Sequence, residues 1–257
     1  MNKIPRKYLL LFVGFTGGFF SALLGIGGGV IFVPVLLFLG YGKQAMGTSL
    51  AAIIPSVFIG LIAHYLIDSQ NIHFLMAAIT VAGAILGAKL GAEIVQKLNI
   101  KVLKLLILLL LILAGIKYID IIPSTEQSIT ELPPACLALL GLLAGISSAT
   151  FGIGGGIIMV PGFNILFGLP LHEAIPTSLA SILPTTITAT IFHMRFDNIS
   201  TKAIKHLIPT AFLGALTGAV VTNHLPTTVL RTTFGFFLVI AMVFSFLRMF
   251  HSRDNEE

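Results

Sequence analysis

Apolar runs follow one another along this chain from Lys7 to Arg248, separated only by short polar stretches. A helix that crosses a bilayer needs about 20 mostly apolar residues. The polar breaks divide the first part of the chain into segments 8–40, 44–67, 73–96 and 101–119, and the second into 133–168, 172–193, 203–223 and 227–250. Six of the eight have the length of one span. The first segment of each set does not, because about 33 residues at ~1.5 Å each make a helix of about 50 Å against ~30 Å of hydrocarbon. Both long segments are interrupted by glycines, so the pattern predicts, twice over, a broken segment followed by three helices.

The two sets are copies of each other. Gly25-Ile26-Gly27-Gly28-Gly29 with Pro34 recurs as Gly152-Ile153-Gly154-Gly155-Gly156 with Pro161. Thr48-Ser49-Leu50-Ala51, Ile53 and Pro55 recur as Thr177-Ser178-Leu179-Ala180, Ile182 and Pro184. His64 and Asp68 match His193 and Asp197, and Gly87-Ala88 with Gly91-Ala92 matches Gly214-Ala215 with Gly218-Ala219. The expected organisation is a first membrane repeat over 1–122, a polar external linker over 123–134, and a second repeat over 135–257 ending in a short cytoplasmic tail.

Composition agrees with the apolar pattern. The residues are 56% hydrophobic and only 10% charged, with a mean hydropathy of +1.02, too few charges to cover a water-facing surface of this size. The net charge of +5 does not point to nucleic acid, since the basic residues sit in short loops between apolar segments. The lone Cys136 lies in an apolar stretch and reads as a small packing residue, which leaves no disulfide within the chain. Lys3, Arg6 and Lys7 before an apolar run imitate a signal peptide, but that run is the partner of the one near Leu132, which argues against cleavage.

If each broken segment enters and leaves on one side as a re-entrant hairpin, each half crosses three times net and the halves are inverted. Lys43, Lys97, Lys101, Lys104, Arg195, Lys202, Lys205, Arg248 and Arg253 then fall on one face with the N-terminus, leaving Lys117 and Arg231 as exceptions. A single crossing would put Lys97, Lys101 and Lys104 outside, against the rule that short cytoplasmic loops carry the Lys and Arg. The expected fold is therefore an all-α polytopic membrane protein of two inverted repeats, each a glycine-broken re-entrant hairpin plus three transmembrane helices. Both termini are expected in the cytoplasm.

Irregular backbone at membrane depth is tolerated only where protein or a wet cavity surrounds it. Two glycine turns entering from opposite faces are expected to meet near the midplane, with Gly28 and Gly155 facing a shared cavity. Gly27, Gly28, Gly29, Gly154, Gly155 and Gly156 would offer it helix N-termini, and such termini favour anions. Paired broken segments in opposed repeats also mark the substrate site of transporters. Thr48, Ser49, Thr177, Ser178 and Ser181 are candidate hydroxyl donors to an oxyanion, or helix caps and back-bonding groups. Thr185, Thr186, Thr188 and Thr190 have no counterparts in the first half. His64 with Asp68, and His193 with Asp197, stand four apart, which places each pair on one helix face as a candidate for proton coupling. Lys89 and Glu93 have the same spacing and are expected to pair or to snorkel. The alternative to binding is that the glycines serve close helix packing.

There is no nucleotide signature, since the glycine spacing is wrong and no Lys-Ser/Thr follows. No GxSG, no HExxH and no intramembrane Asp pair is present, so no catalytic residue, metal ligand or cofactor is assigned. A membrane scaffold or assembly protein and a membrane-embedded enzyme are the alternative classes. The repeated Gly-x-Gly-Gly-Gly turns, each followed by a proline, resemble the sulfite exporter TauE/SafE family of sulfonate-type permeases over essentially the whole chain. The resemblance implies a plasma-membrane permease for small sulfur-containing or carboxylate anions such as sulfite, sulfonates or sulfoacetate-like compounds. The expected partners are that substrate and membrane lipids, with no nucleic acid; a homo-oligomer is left open.

Overall fold

The computed structural model describes residues 6–97, 133–237 and 239. The segment expected at 101–119, most of the stretch 123–134, and the chain beyond 239 lie outside the described residues. Within them all regular structure is helical. The first half contains α1 (Arg6–Leu24), α2 (Gly29–Phe38), α3 (Gln44–Ile67), a 3₁₀ turn (Ser69–Asn71) and α4 (Phe74–Lys97). The second contains α5 (Pro134–Phe151), α6 (Gly156–Pro161) running into a π turn (Gly162–Leu166), α7 (Leu171–Met194) and α8 (Thr201–His224). Residues 227–237 are again helical. Among the described residues, α1, α3, α4, α5, α7 and α8 are the 6 helices long and apolar enough to cross a membrane.

The bundle is apolar outside and small-residue inside. Leu66 and Leu75 are each 76% exposed and Phe12 is 66% exposed, while glycines, alanines and serines fill the helix contacts. A surface of this kind would aggregate in water and matches hydrocarbon. Small residues let backbones approach where no hydrophobic driving force exists between helices.

These contacts interlock the halves. Gly14 and Gly18 of α1 lie on Leu207 and Ala211 of α8, and Gly214 and Gly218 of α8 lie on Phe15 and Phe19 of α1. Residue numbers rise together, so the two helices run parallel. The same holds for α4 and α5, where Gly83, Gly87 and Gly91 face Ala138, Leu142 and Ile146, and Gly141 and Gly145 face Thr80 and Ala84. Each half thus lends its first helix to the other half's third.

Polar contacts mark the two ends of the bundle. At one end the Lys43 ammonium donates to the Gln96 carbonyl (2.7 Å), and Gln44 Nε2 donates to the Asp197 carbonyl (3.4 Å). At the other, His73 pairs with Glu173 (2.7 Å). Lys89 and Glu93, expected to pair or to snorkel, do not pair; both are exposed, and the ion pair among the described residues joins His73, just before α4, to Glu173 of α7.

Candidate functional site

Each glycine motif breaks its helix through backbone that side-chain-bearing residues rarely adopt. Gly28 (φ 71°) and Gly155 (φ 82°) immediately precede α2 and α6, and neither helix start has a side-chain cap. The broken ends cross each other in the bundle. Gly29 lies against the Gly152 carbonyl and Ile153, and Gly156 lies against the Gly25 carbonyl and Ile26. Between them, a Cβ on Gly27 or on Gly154 would stand 3.5 Å from the other's Cα. The stretches 25–29 and 152–156 therefore run antiparallel, and Ile53 and Ile182 close on their crossing point at 3.4 and 3.5 Å.

The expected shared cavity between Gly28 and Gly155 is not how these residues sit. A Cβ on Gly28 would strike the Gly17 carbonyl of its own half, and one on Gly155 would come within 2.9 Å of the Ala144 carbonyl. The turns meet through Gly27 and Gly154, and that meeting point is apolar.

Two of the candidate hydroxyls lie at the crossing. Ser49 Oγ donates to the Gly152 carbonyl (2.6 Å), and its counterpart Ser178 donates to the Gly25 carbonyl (2.9 Å). Each half thereby staples the other half's turn at the carbonyl its first glycine leaves free. Thr48 Oγ1 accepts from the Ser200 amide (2.8 Å), and Thr177 Oγ1 accepts from the His73 amide (3.1 Å). Ser181 donates to the Thr177 carbonyl (3.0 Å). In the threonine row, Thr185, Thr186 and Thr188 bond back to carbonyls of the preceding turn, as β-hydroxyls in apolar helices do.

Among the described residues, four other buried hydroxyls have no partner: Ser21, Ser147, Ser148 and Thr190. Ser21 and Ser148 hold equivalent places, four residues before the first glycine of each motif. The Cβ of Ser21 lies 3.3 Å from where a Cβ on Gly28 would be. The repeat pairs these two serines, but only the packing shows that both lack a partner. A buried hydroxyl without a protein partner is costly and calls for an explanation.

The His–Asp spacing does not produce His–Asp pairs. The helix ends before either aspartate: Asp68 is extended and its carboxylate accepts from the Gln70 amide (3.0 Å), while Asp197 has φ 52° beyond the end of α7. The histidines instead reach across the bundle. His64 Nε2 donates to the Ala22 carbonyl (3.1 Å), and His193 Nε2 donates to the equivalent Ala149 carbonyl (2.8 Å). A carbonyl only accepts, so both rings carry the proton on Nε2. His64 Nδ1 then accepts from Asn223 Nδ2 (3.3 Å), whereas His193 Nδ1 is buried without a partner.

An apolar helical bundle with two broken helices crossing inside it, each bound by the other half's hydroxyls, is the build of a multi-pass membrane transporter. The chain belongs to the sulfite exporter TauE/SafE family, which matches residues 1–118 and 137–257. It is 26% identical over 250 residues to the "Probable membrane transporter protein YunE" of Bacillus subtilis, covering 85% of this chain and 89% of that one. A "Probable membrane transporter protein" of Haemophilus influenzae is 26% identical over 264 residues, covering 93% and 98%. A third relative, "Probable membrane transporter protein MJ0441" of Methanocaldococcus jannaschii, is 32% identical over 200 residues, 72% of each chain. No solved structure matches.

Proposed function

We propose that this transporter carries small anions, sulfite, organosulfonates or related sulfur-containing or carboxylate compounds, by alternating access between two inverted halves. The observation that carries the reading is the crossing of the two broken segments. It places the uncapped starts of α2 and α6 beside backbone of the opposite half, with the unbonded Ser21 hydroxyl against Gly28 and Ser148 at the equivalent place. Helix starts present free N–H groups and the positive end of the dipole, which favour an oxyanion without an intramembrane arginine.

In this reading Gly27, Gly28, Gly29, Gly154, Gly155 and Gly156 supply backbone donors. Thr48, Ser49, Thr177, Ser178 and Ser181 hold the turns in place, and the Ser49 and Ser178 staples exchange partners as the halves rock. Inversion is supported by the positions of equivalent residues. Asp197 sits at the start of α3, beside Gln44, while its counterpart Asp68 sits at the far end of the same 24-residue helix, ~36 Å away. With the loops rich in Lys and Arg on the Lys43 and Lys97 side, that face is cytoplasmic, as are both termini in the plasma membrane. Any coupling proton would be taken by His64 or His193, since Asp68 and Asp197 stand apart from the rings.

The test is uptake of ³⁵S-sulfite and of labelled sulfoacetate into proteoliposomes. The expected result is saturable flux of at least one of them, reduced at least fivefold by Ser21→Ala with Ser148→Ala at equal incorporation. Flux that is absent for both anions, or unchanged in the double variant, overturns the reading.

A further inference from the structure

The two histidine corners occupy equivalent places in the two halves, yet they are in different states. At the first, His64 of α3 binds the Ala22 carbonyl of α1 through Nε2, and Asn223 of α8 closes on its other nitrogen at 3.3 Å. Asn223 Nδ2 also donates to the Ala219 carbonyl (2.9 Å), and neighbouring Thr222 donates to the Leu23 carbonyl (3.1 Å). The amide, the ring and the broken helix α1 are tied together.

At the second, His193 of α7 binds the Ala149 carbonyl of α5 in the same way. The residue of α4 that matches Asn223 in the repeat is Gln96, again a side-chain amide. Here the tie is not made. Gln96 Nε2 is buried without a partner, and so is His193 Nδ1. One is a donor and the other an acceptor, and they are the counterparts of the two atoms that bond at the first corner. Asn198, whose amide nitrogen donates to the His193 carbonyl (3.1 Å), also has its side-chain Nδ2 buried and unbonded. A complementary donor and acceptor left open at one end, while their equivalents are joined at the other, is what a two-state element shows when caught in one of its states.

We infer that His64–Asn223 and His193–Gln96 are reciprocal latches: the first holds the conformation seen here, and the second closes when the first opens. This rests on the proposed inverted-repeat transport cycle and adds to it the residues that hold each end state. Gln96 and Asn223 act as positioning residues, fixing where the broken helices α5 and α1 sit through the histidine rings. Gln96 carries one methylene more than Asn223, and its helix α4 packs against α7, which carries His193.

The test needs no substrate. In a Cys136→Ala background, a protease site placed between residues 124 and 130 lets the halves separate on a gel unless a bridge joins them. The second-latch pair, Gln96→Cys with His193→Cys, which leaves His64 and Asn223 in place, is bridged in native membranes by a short bis-methanethiosulfonate. With His64 and Asn223 intact, this pair is expected to join the halves slowly, because the first latch is closed at rest. Opening the first latch by Asn223→Ala, or independently by His64→Phe, is expected to speed joining of this pair at least threefold. Thr217→Ala, an exposed change on the same helix as Asn223, is expected to leave it unaltered. A joining rate that is fast with His64 and Asn223 intact, or that is indifferent to both Asn223→Ala and His64→Phe, overturns the latch assignment. Neither result depends on whether sulfite or sulfoacetate is carried, so a failure of the substrate reading and a failure of the latch are distinguishable.

Discussion

The His64 corner and the His193 corner share one skeleton and differ in polar saturation. Both have a histidine near the end of a long helix bound to an alanine carbonyl near a broken helix end, and both stand beside a parallel helix pair packed through glycines. At the first corner every ring nitrogen and the facing amide are bonded. At the second, three side-chain nitrogens, on Gln96, His193 and Asn198, are buried without partners. The lesson is that the repeat duplicates the backbone scaffold, which must be closely packed in both halves, while the polar groups record the conformational state. Features that are symmetric should matter equally in the two halves; those that are asymmetric should not.

The largest expected effect is on the symmetric scaffold. Gly29→Ala and Gly156→Ala each drive a Cβ into a carbonyl of the opposite turn. Each should abolish most monodisperse protein on size-exclusion chromatography in detergent. Gly40→Ala, at a positive φ but with open space around it, should retain most of it. Tolerance of one turn substitution and not the other would break the symmetry. Gly218 is no neutral control for such experiments, because a Cβ there meets the Phe19 carbonyl.

Next come the staples. Ser49→Ala and Ser178→Ala each leave a buried glycine carbonyl unbonded, a cost of about 1–3 kcal/mol. Their melting temperatures in detergent should fall together. A drop confined to one variant would show that only one turn depends on its staple.

Smaller and unequal effects are expected at the corners. Asn223→Ala removes made hydrogen bonds and should destabilise by about 1 kcal/mol, whereas Gln96→Ala removes an unbonded buried donor and should be neutral or slightly stabilising. Equal losses from both would contradict the difference between the corners. The smallest stability effect belongs to Ser21→Ala and Ser148→Ala, which remove unpartnered hydroxyls. Their melting temperatures should stay unchanged while flux falls, and a thermal loss without a flux loss would make these serines structural.

Much of the fold was legible because membrane helices are written in runs and interruptions. The helix 44–67 appears with those bounds, and the glycine motifs break both long segments as their length requires. Partner choice was not legible. Gly87 and Gly214 announce a close approach without saying that α4 meets α5 and α1 meets α8, because a small residue permits contact with any neighbour. Ser49 and Ser178 were visible as hydroxyls, but which carbonyl each meets depends on the other half's turn. The His–Asp reading failed for a local reason: helix periodicity applies only within a helix, and both aspartates lie beyond the end of theirs. Ser21, Ser148, Gln96 and Asn223 escaped notice because an apolar helix usually satisfies such groups internally, and only three-dimensional packing shows which stay unbonded.

The central claim is that two equivalent halves face opposite sides of the membrane around the crossed turns. The most direct measurement places single cysteines at equivalent positions, Asp68→Cys and Asp197→Cys, in a Cys136→Ala background and treats intact cells with a membrane-impermeant maleimide. The account predicts that Asp68→Cys is labelled from outside and that Asp197→Cys is labelled only after the cells are opened. Labelling of both from the same side would contradict it.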